Sequence, residues 1–225
     1  MIKLVYFFNR KPYLSVEDFQ EYWRTGHAAL VKNIEGIIRC VQCHTLPTGY
    51  RRKTLPPVDG FEEIWFNSPD EADLILTAPP GRAALDDLKN FVDESRLKHI
   101  ITEEIVIKDG PTHPNMLKSF ELVTRKPGMP LEEFHRYWRE FHGPLAAKIK
   151  QIKRYVQSHT LMSEYQKALP PYYDGVAETW FEDTAAMRQS GQTPELAAVR
   201  ADEEHFLAGE LPVAITREVP IIGEI

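Results

Sequence analysis

The chain has 225 residues, 43% of them hydrophobic and 27% charged, which excludes disordered and collagen-like classes and is enough to bury a core. A net charge of −6 and a pI near 5.8 argue against nucleic acid as the main partner. No stretch approaches the roughly 18–20 apolar residues that span a bilayer, and the start, MIKLVYFFNRKP, is too short and polar for a signal peptide, so no membrane partner and a cytoplasmic location are expected.

In chain order, residues 2–9 read as an apolar strand, followed by a turn in which Ser15 is placed to cap a helix. Helix 16–34 carries Phe19, Trp23, Leu30 and Ile34 on one stripe. Strand 37–46 holds the only cysteines, Cys40 and Cys43. Three residues apart on a strand, they point to opposite faces and suit neither a disulfide nor shared metal binding. A loop containing Pro and Gly leads to strand 60–67, short helical pieces follow, and strand 100–108 closes the unit.

The same pattern then returns at an offset of 115 residues. YWRTGH at 22–27 returns as YWREFH at 137–142, RKP at 10–12 as RKP at 125–127, and RCVQCHTL at 39–46 as RYVQSHTL at 154–161. Asp59-Gly60, Glu63 and Trp65-Phe66 return as Asp174-Gly175, Glu178 and Trp180-Phe181. The chain therefore reads as a tandem duplication: repeat 1 at 1–110, a linker at 111–115 and repeat 2 at 116–225. Each copy has the order β-α-β-β-α-β, the ferredoxin-like α+β unit. Its sheet is covered by helices on one face, and strand 37–46 is apolar on both parities, so the other face needs a cover too. Two four-stranded sheets packed sheet to sheet close into a barrel of about eight strands with room for one small ligand.

His27 and His142 follow Trp23 and Trp138 by four residues and face the sheet, where a histidine can cap the helix end or do chemistry. His44 and His159 share a strand face with Gln42 and Gln157, which suggests a wet pocket and a buried, neutral histidine suited to acid–base work. Glu63 and Glu178 share parity with Trp65 and Trp180; they are candidates for contacting a substrate or for pairing with Arg39 and Arg154. For Asp87 and Asp202 a helix-terminal or arginine-pairing role suffices. The sequence has no Gly-rich phosphate loop, no H-E-x-x-H and no G-x-S-x-G, so neither a metal nor a cofactor is expected.

The string of RKP, YWR-x-x-H, R-x-VQ-x-HTL, DG-x-x-E-x-WF and the Asp-x3-Phe helix resembles the EthD family in both halves. That resemblance implies the dimeric α/β-barrel superfamily, with possible further pairing of two chains into a homodimer. It places the family's helix-end histidine at His27 and His142, and its strand histidine or asparagine at His44 and His159. The family's DE-x-x-F signature survives at Asp202-Glu203 and Phe206 but reads DLKNF in the first half, so the two halves need not act alike. The resemblance implies a cofactor-independent enzyme of monooxygenase, decarboxylase or isomerase type, acting on a small cyclic or aromatic, polyketide-like compound. The leading expectation is acid–base chemistry by His44 or His159, helped by His27 or His142. A non-catalytic ligand carrier and a haem-binding barrel are the alternatives.

Overall fold

The computed structural model describes residues 1–51 and 53–223. Its eight strands form a closed antiparallel barrel in the order β1-β3-β2-β8-β5-β7-β6-β4. The chain divides into two compact units, residues 1–102 with 216–225, and residues 103–215.

Unit 1 follows the β-α-β-β-α-β order. Strand β1 (Ile2–Phe8) leads to α1 (Val16–Tyr22), a π-helical turn (Trp23–His27) and α2 (Ala28–Val31). Then come β2 (Arg39–Thr45), β3 (Gly60–Phe66), α3 (Pro69–Thr77), α4 (Pro79–Phe91) and β4 (Lys98–Lys108), whose residues to 102 belong to this unit. Strand β3 lies between β1 and β2, antiparallel to both, and β4 pairs with the other edge of β1. Ser15 caps α1, its Oγ accepting from the Asp18 amide at 3.0 Å, as the sequence led us to expect. The single helix expected at 16–34 is interrupted: Trp23–His27 winds as a wider π turn, a feature frequent at functional sites.

Unit 2 repeats the plan with β5 (Leu117–Val123), α5 (Leu131–Tyr137), a π turn (Trp138–His142) and α6 (Gly143–Ala146). These are followed by β6 (Ile152–Thr160), β7 (Gly175–Phe181), α7 (Thr184–Ser190), α8 (Pro194–Phe206) and β8 (Val213–Ile222), whose residues from 216 belong to unit 1 and pair with β2.

Most of the repeated sequence phrases are scaffold. The Arg of each RKP pairs with the Asp of each DG: Arg10 Nη1 lies 2.6 Å from Asp59 Oδ1, and Arg125 Nη1 lies 2.8 Å from Asp174 Oδ1. The Gly of each DG admits the tryptophan of each YWR. A Cβ on Gly60 would come within 2.4 Å of the Trp23 ring, and one on Gly175 within 2.6 Å of the Trp138 ring. Phe8, Phe19, Trp23 and Phe91 form the buried aromatic core of unit 1, with Trp23 4.9 Å from Phe8. Truncating such a tryptophan to alanine costs about 3–5 kcal/mol. Cys40 and Cys43 are buried and not joined in a disulfide, and their sulfurs face different carboxylates, Glu62 and Glu63, on neighbouring positions of β3.

Candidate active site

In each unit the π turn ends on a buried histidine whose Nδ1 meets an aspartate on the last helix. His27 Nδ1 is 2.9 Å from Asp87 Oδ2, and His142 Nδ1 is 2.8 Å from Asp202 Oδ2. A carboxylate only accepts, so Nδ1 carries a proton in both. The aspartates are themselves held by the tyrosines of the two YWR phrases, each Tyr22 or Tyr137 hydroxyl donating at 2.7 Å. Asp87 and Asp202 are thus histidine-orienting groups, a role that the sequence did not reveal because the partners lie 60 residues apart.

The two histidines differ at Nε2. In unit 1, Glu62 Oε2 stands 3.6 Å from His27 Nε2. Burial alone would lower the pKa of His27, but the Glu62 and Asp87 carboxylates outweigh it and raise the value. Both ring nitrogens of His27 thus face carboxylates, which favour its protonated form and leave no lone pair pointing into open space. In unit 2 the matching strand position is Ala177, and among the described residues His142 Nε2 has no hydrogen-bond partner. Burial leads there, lowering its pKa and keeping the ring neutral with its Nε2 lone pair available.

The space around each histidine differs in the same sense. His142 lines a cavity of about 220 Å³ between sheet and helices of unit 2, whereas that beside His27 is about 20 Å³. Tyr6, Ile64, Leu76 and Leu88 fill the unit 1 site, where unit 2 has Glu121, Thr179, Gly191 and Glu203. Trp138, Ile149, Phe181 and Phe206 give the larger cavity apolar walls, and Ser119, Tyr155 and Thr179 add hydroxyls. Its one cation, Arg200, is already engaged, 2.5 Å from Glu203 and 3.5 Å from Glu121. Burial raises the pKa of Glu203. The lining therefore carries no surplus positive charge to attract an anion.

His44 and His159 are arranged otherwise. Each stacks on the unit's tryptophan, with ring centroids 4.4 and 4.3 Å apart, and each Nε2 lies 3.0 Å from the Oε1 of Gln42 or Gln157. The glutamine amides donate to the Trp23 and Trp138 carbonyls at 2.9 and 2.8 Å, so Oε1 is the end facing histidine, and Nε2 must donate. Burial drives their pKa values down to about 3 and about 2. Both rings are neutral, and neither lines the unit 2 cavity.

Glu63, Trp65, Glu178 and Trp180 also lie outside that cavity. Their strand parity places Glu63 and Trp65 on the face opposite Glu62 and His27. Glu63 pairs with Lys3 and Glu178 with Lys118, both at 2.8 Å, rather than with Arg39 and Arg154. Cys43, Glu63 and Glu218 bring three potential metal-ligand atoms within 4.8 Å, yet the Lys3 ammonium already supplies the cation there.

Haem does not fit this frame. Both nitrogens of His27 face carboxylates, and about 220 Å³ beside His142 is well short of the volume of the macrocycle. Among the described residues no helix is long and apolar enough to cross a membrane.

The EthD domain profile matches residues 11–95 and again 126–210, together well over half of the chain. No curated protein matches it in sequence. Among solved structures it is similar to an anthrone oxidase-like protein, with a TM-score of 0.70 at 10% identity, covering 100% of this chain and 94% of that one. A candidate monooxygenase from Lactobacillus acidophilus NCFM gives 0.56 at 13% identity over 98% and 94% of the two chains. A mutant chlorite dismutase from Candidatus Nitrospira defluvii gives 0.54 at 12% identity over 98% and 92%. At such identities the likeness is one of fold, that of the dimeric α/β barrel. The profile goes further: this chain belongs to the EthD family and carries two of its domains in tandem.

Proposed function

We propose that the chain is an enzyme that removes a proton from an activated ring carbon of a small, uncharged cyclic or aromatic compound held in the unit 2 cavity. His142 is the base and Asp202 orients it. The observation that carries this reading is His142 on a cavity of about 220 Å³, its Nε2 without a partner among the described residues and its Nδ1–H fixed 2.8 Å from Asp202. A cavity of about 150 Å³ holds benzene, so this one suits a molecule of one or two fused rings. Apolar walls favour ring carbon, and the neutralised Arg200 disfavours a carboxylated substrate.

Proton loss beside a carbonyl gives an enolate. The enolate has two outlets: addition to dioxygen, or reprotonation at another carbon. The oxidative outlet balances as R₂CH₂ + O₂ → R₂C=O + H₂O, with dioxygen the oxidant and the hydroperoxide losing water. The similarity to an anthrone oxidase-like protein and to a candidate monooxygenase supports that outlet.

The test is proton exchange. Small cyclic ketones incubated with the protein in D₂O should gain deuterium at the α carbon, read by mass spectrometry, and His142→Ala should abolish the gain. Binding of the ketones without exchange would instead mean a ligand carrier.

A further inference from the structure

We propose that Tyr155 is the hydrogen-bond donor to the substrate's carbonyl oxygen, and that the cavity accordingly selects ring compounds bearing a carbonyl next to the acidic carbon. This rests on reading the unit 2 cavity as the substrate site. The Tyr155 oxygen accepts from Trp138 Nε1 at 3.3 Å and from Gln157 Nε2 at 3.0 Å. An indole nitrogen can only donate. The Gln157 amide is fixed too, because turning it over would set its oxygen against the Trp138 carbonyl and its NH₂ against the donating His159. Both acceptor positions of the phenol are therefore taken, and its own proton is left to point elsewhere. Among the described residues it has no acceptor, and Tyr155, 2% exposed, is part of the cavity wall. Burial pushes the phenol's pKa up, so the proton stays in place to be donated.

Unit 1 shows that the scaffold does not require this group. Cys40 stands at the matching position with its thiol toward Glu62, and Trp23 Nε1 is buried without a hydrogen-bond partner. The phenol is present in the unit whose helix-end histidine lines about 220 Å³ and absent from the unit where the matching space is about 20 Å³. A proton leaving the α carbon toward His142 moves charge onto the carbonyl oxygen, where a preorganised buried donor acts most strongly. The Trp138 and Gln157 donors polarise that phenol further.

The experiment uses 1-tetralone, a bicyclic ketone, and tetralin, the hydrocarbon of the same frame. Tyr155→Phe should weaken 1-tetralone by about 5- to 10-fold, the worth of one hydrogen bond, while tetralin changes less than about 2-fold on the same scale. The infrared carbonyl stretch of bound ¹³C=O 1-tetralone should sit at lower frequency in the wild type than in an apolar solvent, and return toward the solvent value in Tyr155→Phe. The His142→Gln variant should keep the lowered stretch, which separates donor from base: loss of exchange with the stretch retained fits both roles, whereas exchange retained with the stretch lowered removes His142 as base and leaves the donor. An identical stretch in wild type and Tyr155→Phe overturns the assignment. So does equal weakening of ketone and hydrocarbon, or no binding of 1-tetralone at millimolar concentration.

Discussion

Units 1 and 2 hold an equivalent histidine on an equivalent aspartate, and the surroundings shift the two histidine pKa values in opposite directions. His27 lies between Asp87 and Glu62, which raise its pKa, and bulky neighbours fill its site. His142 has Asp202 at one nitrogen and a cavity at the other. The histidine–aspartate pair is thus a framework that both units use, and on the function proposed above the exchange of Glu62 for Ala177 separates the unit that does chemistry from the one that does not. In unit 1 one carboxylate stands at the histidine nitrogen that in unit 2 faces the cavity.

The largest expected effect comes from giving unit 2 the residue of unit 1. Ala177→Glu should set a carboxylate beside His142 Nε2, raise its pKa and abolish α-proton exchange, a loss of about 10²- to 10⁴-fold if general-base catalysis goes with it. Circular dichroism should show the fold retained. Turnover equal to the wild type in this variant would dissolve the contrast between the units.

A smaller loss is expected from Asp202→Asn, which keeps the shape but weakens the hold on Nδ1–H. Removing an orienting partner of this kind costs about 10- to 100-fold, and the loss should fall on kcat more than on KM. The pH profile sharpens the same point. The neutral ring is the active form of His142, and burial lowers its pKa, so the rate should fall with acid only below the ordinary histidine range.

The smallest effect concerns a feature the units share. His44 and His159 have folded pKa values of about 3 and about 2, well below the ordinary 6.5. As pH falls below that ordinary value the unfolded chain takes up protons that the folded chain refuses, so stability is lost by up to about 1.4 kcal/mol per pH unit for each ring. The loss levels off only below the folded values. His159→Phe, which keeps a ring to stack on Trp138, should flatten the dependence of the urea midpoint between pH 6 and 4 by about one such share. His27 has the opposite sign: its raised pKa contributes stability that is full below the ordinary value and fades as pH rises through the folded one.

What the sequence made legible was the framework. The offset of 115 gave the duplication, and strand parity put Gln42 with His44 and Glu63 with Trp65 on their respective faces. Positions that match between the repeats were the ones that drew attention, and Arg10 with Asp59, or Trp23 with Gly60, turn out to be structural partners. The cavity is built where the repeats differ: Glu62 against Ala177, Cys40 against Tyr155, Leu88 against Glu203. Such mismatches carry no periodic signal, and a small residue such as Ala177 announces nothing until the neighbours it leaves room for are known. The altered signature, DLKNF against DEEHF, was the one visible trace of the asymmetry. Asp202 went unrecognised because its link to His142 spans 60 residues and exists only in the folded chain.

The most direct test of the central claim is to read the two histidines themselves. Side-chain ¹H–¹⁵N correlation spectra at pH 7, assigned with His27→Gln and His142→Gln, report the charge and tautomer of each ring. The account predicts His27 protonated on both nitrogens and His142 neutral, with its proton on Nδ1 and a lone pair on Nε2. Finding both rings in the same protonation state would contradict it.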